Sequence, residues 1–232
     1  MKPIIGIVGR CIKSNNKNII QVDEEYRLAI VKSGGIPIII IPPNDSKYDD
    51  SNKTVVSKLT KNEKEEINKI LSICNGFLMI GGTRWYEFDE LICNFAIDNN
   101  LPILGICLGM QILANMDNFC GSINSDKTVK NDTFINHYNK YQKYVHNINI
   151  IPSKLKQILK KDTFMVNSRH NYHVLPKKYF KVSAISEDGI IEAIEIEKHK
   201  FAIGVQWHPE SMIHYEPIML KIFEAFIEST CE

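Results

Sequence analysis

The chain has 232 residues, of which 44% are hydrophobic and 24% charged, ordinary globular usage that excludes a disordered or fibrous protein. Twenty-eight Lys and Arg against 27 Asp and Glu leave a net charge of +1, which offers no strong field to nucleic acid or an anionic membrane. A length of this order suits one core, so a single domain over 1–232 is expected.

The N-terminal "PIIGIVG" reads as a strand. "VDEEYRLAIVKSGG" follows as a helix with Val22, Tyr26, Ala29 and Ile30 on one face, Asp23 near its start and Gly34-Gly35 as its stop. "IPIIII" is the next strand. The apolar run "GIPIIIIPP" around it is far shorter than the ~20 residues of a bilayer span. The start of the chain has no signal-peptide pattern, so a cytoplasmic location is expected.

Asn44 to Lys61 reads as a surface loop before a helix with Ile67, Ile70, Leu71 and Cys74 on one face. "GFLMI" gives a third strand, "DELICNFAIDN" a helix, and "LPILGI" a fourth strand ending at Cys107. Strands alternating with helices, and nearly continuously apolar, predict an α/β fold with a parallel sheet covered on both faces.

The second half changes character. After a polar connection from Asn124 to Lys143, "VHNINII" reads as a strand and "SKLKQIL" as a short helix. "FKVSAISEDGIIEAIEIEKHKFAIGVQWHPE" holds at least three strands joined by turns at Asp188-Gly189 and Lys198-His199. "EPIMLKIFEAFIES" closes the chain as an amphipathic helix with Ile218, Ile222, Phe223 and Phe226 inward. Six cysteines are scattered without a CxxC pair, so free thiols are expected rather than a disulfide framework.

Three segments carry chemistry. In "GICLGMQ" the glycines lie two before and two after Cys107, the G-x-nucleophile-x-G arrangement of a strand-turn-helix elbow. Such a turn projects the middle side chain above the strand ends, and a helix N-terminus favours the nucleophilic thiolate. The alternative is a core cysteine, the usual place for a free thiol. A cysteine nucleophile needs a base and a group that orients the base. "GVQWHPE" supplies His208 and, two residues on, Glu210, with Pro209 stiffening the turn between them.

Together these segments resemble class I glutamine amidotransferase domains. "VNSRHNYHVL", "KVSAISEDGIIEAIE" and "FAIGVQWHPE" are similar to the γ-glutamyl-γ-aminobutyrate hydrolase branch of that superfamily, of peptidase C26 type. The resemblance covers nearly the whole chain. It implies a flavodoxin-like three-layer sandwich, with a central mostly parallel sheet and additional antiparallel strands in the C-terminal half.

It also implies a Cys107, His208, Glu210 triad, and an oxyanion hole formed by the amides of Gly81, Gly82 and Leu108. Gln111 sits where family members contact the glutamyl group, against the alternative of a helix-surface amide. The chain departs from the branch where Thr83-Arg84-Trp85-Tyr86-Glu87 follows the double glycine, and where Asn171-Tyr172 stands in N-S-x-H-H-Q. Ser168, Arg169 and His170, with Arg84, are expected around the substrate, the two arginines as carboxylate or phosphate clamps or as solvated surface groups. His170 and His173 have H-x-x-H spacing, but no third ligand motif accompanies them, so no metal and no cofactor are expected.

The expected activity is hydrolysis of a small γ-glutamyl amide through a γ-glutamyl thioester. The alternatives are a glutaminase subunit that supplies ammonia to a separate synthetase, and a catalytically silent binding protein on the same scaffold. No nucleic acid or membrane partner is expected; a homodimer is left open, as is a synthetase partner under the first alternative.

Overall fold

The computed structural model describes residues 1–43, 58–116 and 128–231. Most of the loop expected from Asn44 to Lys61, the first residues of the connection expected from Asn124, and Cys120 lie outside the described residues.

Nine strands form the central sheet: β1 (Ile4–Val8), β2 (Ile36–Ile40), β3 (Gly76–Met79), β4 (Ile103–Ile106), β5 (His146–Ile150), β6 (Thr163–Val166), β7 (Lys181–Ser186), β8 (Ile191–Glu195) and β9 (Ala202–Val205). Their order is β6-β5-β7-β8-β9-β4-β3-β1-β2. The pairs from β9 to β2 are all parallel, and those from β6 to β9 are all antiparallel. The C-terminal half thus extends the parallel sheet with antiparallel strands, as the tight turns of the sequence require.

Helices α1 (Glu24–Lys32), α5 (Lys154–Leu159) and α6 (Leu220–Glu228) cover one face; α2 (Lys61–Leu71), α3 (Glu87–Asp98) and α4 (Leu108–Leu113) cover the other. The result is a three-layer sandwich with an apolar core on each side of the sheet. On the first face Phe223 and Phe226 of α6 are fully buried with Ile30 of α1 and Leu155 of α5. Ile218 precedes α6, in the short turn Pro217–Met219, and packs against the same core.

Helix α2 differs in one respect from its sequence reading. Ile67 and Leu71 are buried, whereas Ile70 is exposed and Cys74 lies beyond the helix end. The i, i+4 pair suffices to dock this helix, whose start is fixed by a capping box between Thr60 and Glu63. An unexpected β-ribbon, Arg10–Ser14 paired with Lys17–Gln21, follows β1. Asn15 and Asn16 both take positive φ there, the two-residue hairpin turn that Asn tolerates. Among the described residues no helix is long and apolar enough to cross a membrane.

Candidate active site

The carboxyl ends of β1, β3, β4 and β9 converge at one edge of the parallel half, where open α/β sheets ordinarily hold their ligands. Cys107 follows β4 directly and caps α4, with φ 54° and ψ −105°. A non-glycine residue rarely adopts that backbone, and such strain persists only where its surroundings enforce it. Here they do. The Cys107 amide donates to Val205 O at 2.8 Å, and all of α4 is buried.

The flanking glycines are required by close approach. A Cβ on Gly105 would lie 2.6 Å from the carbonyl carbon of Gly109, and one on Gly109 only 2.1 Å from Met79 O. The turn therefore folds α4 back onto β4 and β3 at a distance no side chain allows.

His208 lies beyond the end of β9 and faces Cys107 across Gly81. A Cβ on Gly81 would sit 2.9 Å from His208 Cε1 and 3.6 Å from Cys107 Cβ. His208 Nδ1 is 2.7 Å from Glu210 Oε1. Both side chains are nearly removed from solvent. Burial works against the imidazolium, but Glu210 and Cys107 outweigh it and hold the His208 pKa up at about 10. The three residues picked from the sequence are brought together, with a proton stabilised on the histidine.

Around them stand residues that the sequence reading missed. The Tyr26 hydroxyl, from α1, lies 3.3 Å from His208 Nδ1 and accepts from the Gly81 amide at 3.1 Å. That amide was expected in the oxyanion hole; it is committed to Tyr26 instead, and Gly81 serves by lacking a Cβ where Cys107 and His208 meet. Asn167 holds the His208 backbone at both polar groups: its Nδ2 donates to His208 O at 2.9 Å, and its Oδ1 accepts from His208 N at 2.8 Å. Its only sequence signal was its place at the head of "NSRHNYH".

Arg10, just past β1, is buried. It donates to Asp89 Oδ1 at 2.6 Å and to Ile80 O at 2.8 Å. Asp89 also accepts from the Tyr86 amide at 2.8 Å. Burial pushes the Asp89 carboxyl up, against the pull of Arg10. The pair braces the Ile80–Gly82 turn and the start of α3, and Gly82 itself is exposed beside Leu108 and Arg10.

The expected substrate contacts divide. Gln111 is buried rather than a surface amide, and its Nε2 donates to Tyr172 O at 3.0 Å and to Gln206 Oε1 at 3.1 Å. Arg84 and Arg169 are both half-buried, and Arg169 Nη1 donates to Ser211 Oγ at 3.3 Å, next to Glu210. Ser168 and His170 turn away from the triad. The Ser168 hydroxyl donates to His137 O at 2.7 Å, within the short pairing of Tyr138–Asn139 with Ser168–Arg169. His170 is buried in a cluster with His137, His146 and Glu192, whereas His173 bonds Asn131 Oδ1 at 3.0 Å. The H-x-x-H pair does not converge: His170, just past the strand Ser168–Arg169, turns into the cluster, whereas His173 lies in the next strand, Tyr172–Val174, and bonds Asn131.

Fold and site geometry together define a class I glutamine amidotransferase domain. More narrowly, the chain belongs to the peptidase C26 family, whose sequence profile matches residues 3–210. It is 33% identical over 214 residues to PB2B2.05 of Schizosaccharomyces pombe, provisionally named a glutamine amidotransferase, covering 88% of this chain and 80% of that protein. It is 34% identical over 182 residues to the CTP synthase of Sulfolobus acidocaldarius, covering 66% of this chain and 34% of that enzyme. The fold is similar to that of the glutaminase domain of Trypanosoma brucei CTPS with bound acivicin, with a TM-score of 0.68, 20% identity, and coverage of 99% and 94% of the two chains.

Proposed function

We propose that the chain is a cysteine-dependent hydrolase of small γ-glutamyl amides. The observation that carries this reading is the strained Cys107 set against a histidine whose charge Glu210 stabilises. The Cys107 thiolate attacks the γ-carbonyl carbon, and the amides of Gly82 and Leu108 receive the developing oxyanion. His208 donates its proton to the leaving amine as the C–N bond breaks, which leaves a γ-glutamyl thioester. Water then gives a proton to His208 as it attacks the thioester, releasing glutamate and the thiolate, while Glu210 keeps the imidazole in its productive orientation. We assign Arg84 and Arg169 to the substrate's α-carboxylate, with Gln111 supporting that end of the pocket.

The test is release of glutamate, amine and ammonia from a panel of γ-glutamyl amides and from glutamine, by the unsubstituted chain and by Cys107→Ala. Cys107-dependent glutamate release from an amide, with glutamine a poor substrate, is the expected result. Turnover confined to glutamine would replace this reading with that of a glutaminase.

The likeness to a third of a CTP synthase favours one second reading, a glutaminase subunit that passes ammonia to a separate synthetase. Under it, glutamine turnover rises when a co-purifying partner is added.

A further inference from the structure

The cluster that takes His170 away from the triad is assembled from four segments of the antiparallel half. His137 precedes the short strand Tyr138–Asn139, His146 opens β5, His170 follows Ser168–Arg169, and Glu192 lies in β8. All four side chains are essentially removed from solvent. Glu192 Oε1 is 3.4 Å from His137 Nδ1, 3.5 Å from His146 Nε2 and 3.4 Å from His170 Nε2. One ligand atom from each of the four residues falls within 4.8 Å of every other.

These contacts are not hydrogen bonds. His146 Nε2, His170 Nε2 and both Glu192 carboxylate oxygens are buried without a hydrogen-bond partner among the described residues. The outer nitrogens show why. His137 Nε2 lies 2.8 Å from Asp188 Oδ2, His146 Nδ1 3.2 Å from Asn147 O, and His170 Nδ1 3.0 Å from Tyr172 O. Each of those oxygens takes the ring N–H on the outer nitrogen, which in a neutral ring leaves a lone pair on the inner one; the Asn131 amide nitrogen, 3.4 Å from His170 Nδ1, donates to His170 O at 3.0 Å. Ser168 Oγ, 3.4 Å from His137 Nδ1, spends its proton on His137 O. With neutral rings three nitrogen lone pairs therefore point at a carboxylate, an arrangement that repels itself unless a positive charge, a ring proton or a metal ion, sits among them.

We propose that His137, His146, His170 and Glu192 form a four-coordinate site for a divalent transition-metal ion, with zinc the best match. Zinc bonds of about 2.0–2.2 Å to nitrogen and oxygen place adjacent ligand atoms of a tetrahedron about 3.3–3.5 Å apart, the spacing of Glu192 Oε1 from all three nitrogens. Histidine ligands whose second nitrogen donates to a carboxylate or backbone carbonyl are the usual outer shell of such sites. Four protein ligands and no exposure make the site closed and structural. A cleft of about 290 Å³, lined in part by Asn131, Thr133, Asn136, His137 and His170, borders the cluster. The ion would pin Tyr138–Asn139 and Ser168–Arg169 to β5 and β8. Asn167, one residue before this pairing, carries that order to the His208 backbone.

The chain, purified without a polyhistidine tag, is analysed by elemental mass spectrometry; the same chain stripped by a strong chelator is titrated with zinc and with cobalt. The expected result is about one zinc per chain, or uptake of about one equivalent with a raised melting temperature, and cobalt bands of tetrahedral type. Cys107→Ala retains the full equivalent, which excludes the triad as the site. His146→Gln and Glu192→Gln lose it, and Asp188→Asn, which leaves every ligand in place, weakens zinc about 10–100-fold. A folded, unsubstituted chain that neither carries zinc nor takes it up overturns the proposal whatever the variants do. So does a cobalt spectrum unchanged in folded His146→Gln or Glu192→Gln. None of these readouts depends on turnover, so the site stands or falls apart from the proposed hydrolase.

Discussion

Among the described residues histidines are buried against carboxylates in two places, one in each half of the sheet, and the contacts to Glu210 and to Glu192 differ in geometry. At the carboxyl ends of the parallel strands, His208 and Glu210 lie within 2.7 Å, a hydrogen bond that stabilises a proton on the ring. In the antiparallel half, three histidines stand 3.4–3.5 Å from Glu192 with the inner nitrogens of His146 and His170 unbonded. The first geometry holds a proton on the ring; the second, under our proposal, is spaced for a larger cation. Under our two proposals the same residue types serve chemistry in one half and the order of that chemistry in the other.

The sharpest way to break this division is Cys107→Ala. Turnover of any γ-glutamyl substrate should fall by roughly 10⁵-fold or more, while the melting curve stays near that of the unsubstituted chain. Cys107→Gly tests the strain separately: glycine accepts φ 54° freely, and release of about 1–3 kcal/mol of backbone strain should exceed the chain entropy it adds. Thermal or urea unfolding of the two inactive variants decides this, and a glycine variant less stable than the alanine one would show that the elbow is not strained.

Glu210→Gln comes next, with a loss of about 10²–10⁴-fold in kcat/KM. The His208 pKa, held near 10, should drop when its carboxylate partner goes, as histidine NMR titration would show. A folded pKa above the unfolded value means that this pair adds stability below about pH 6.5 and loses it as pH rises through about 10. The melting temperature of the unsubstituted chain should therefore decline across that window more steeply than that of Glu210→Gln. Equal slopes would mean that Glu210 does not hold the proton on His208.

The juxtaposition of Cys107, His208 and Glu210 was legible because each part is written locally. Gly105, Cys107 and Gly109 fall within five residues, and one proline separates His208 from Glu210. The same holds for the parallel strands, which are nearly continuous apolar runs, and for the hairpin turns at Gly189 and Lys198. What escaped was set by tertiary approach. Tyr26 looked like one more residue on the buried face of α1, and Arg10 like a residue beyond a strand end. His137 and His146 belong to no spacing pattern, since their neighbours at the cluster come from residues 170 and 192. Glu192 gave the one readable sign, a carboxylate in the middle of an apolar strand. Gly81 and Ser168 have partners the sequence did not announce, because a motif fixes the position of a residue but not the partner that its amide or hydroxyl finds.

Arg10→Leu tests the brace under the Ile80–Gly82 turn. Removing one member of a buried ion pair leaves Asp89 unpaired, at about 3–5 kcal/mol. Asp89 already feels strong desolvation, so its protonation in the variant should recover part of that loss at low pH. Chemical denaturation at neutral and acid pH, with Arg10→Leu/Asp89→Leu as the paired control, gives the measurement. A double variant no more stable than the single one would show that the arginine acts by packing alone.

Tyr26→Phe has the smallest expected effect and asks most directly whether the proton site and its scaffold are separable. The ring stays, so the core of α1 is kept, but the Gly81 amide loses its acceptor and His208 loses a polar neighbour. An unsatisfied buried donor costs about 1–3 kcal/mol, and the turn can regain some of that by moving toward water at the exposed Gly82. We therefore expect about 1 kcal/mol lower stability and roughly a 5–10-fold fall in kcat at nearly constant KM. Because the hydroxyl acts on the triad through Gly81 and His208 rather than on substrate, a rise in KM without a fall in kcat would move Tyr26 from a positioning role into the binding pocket.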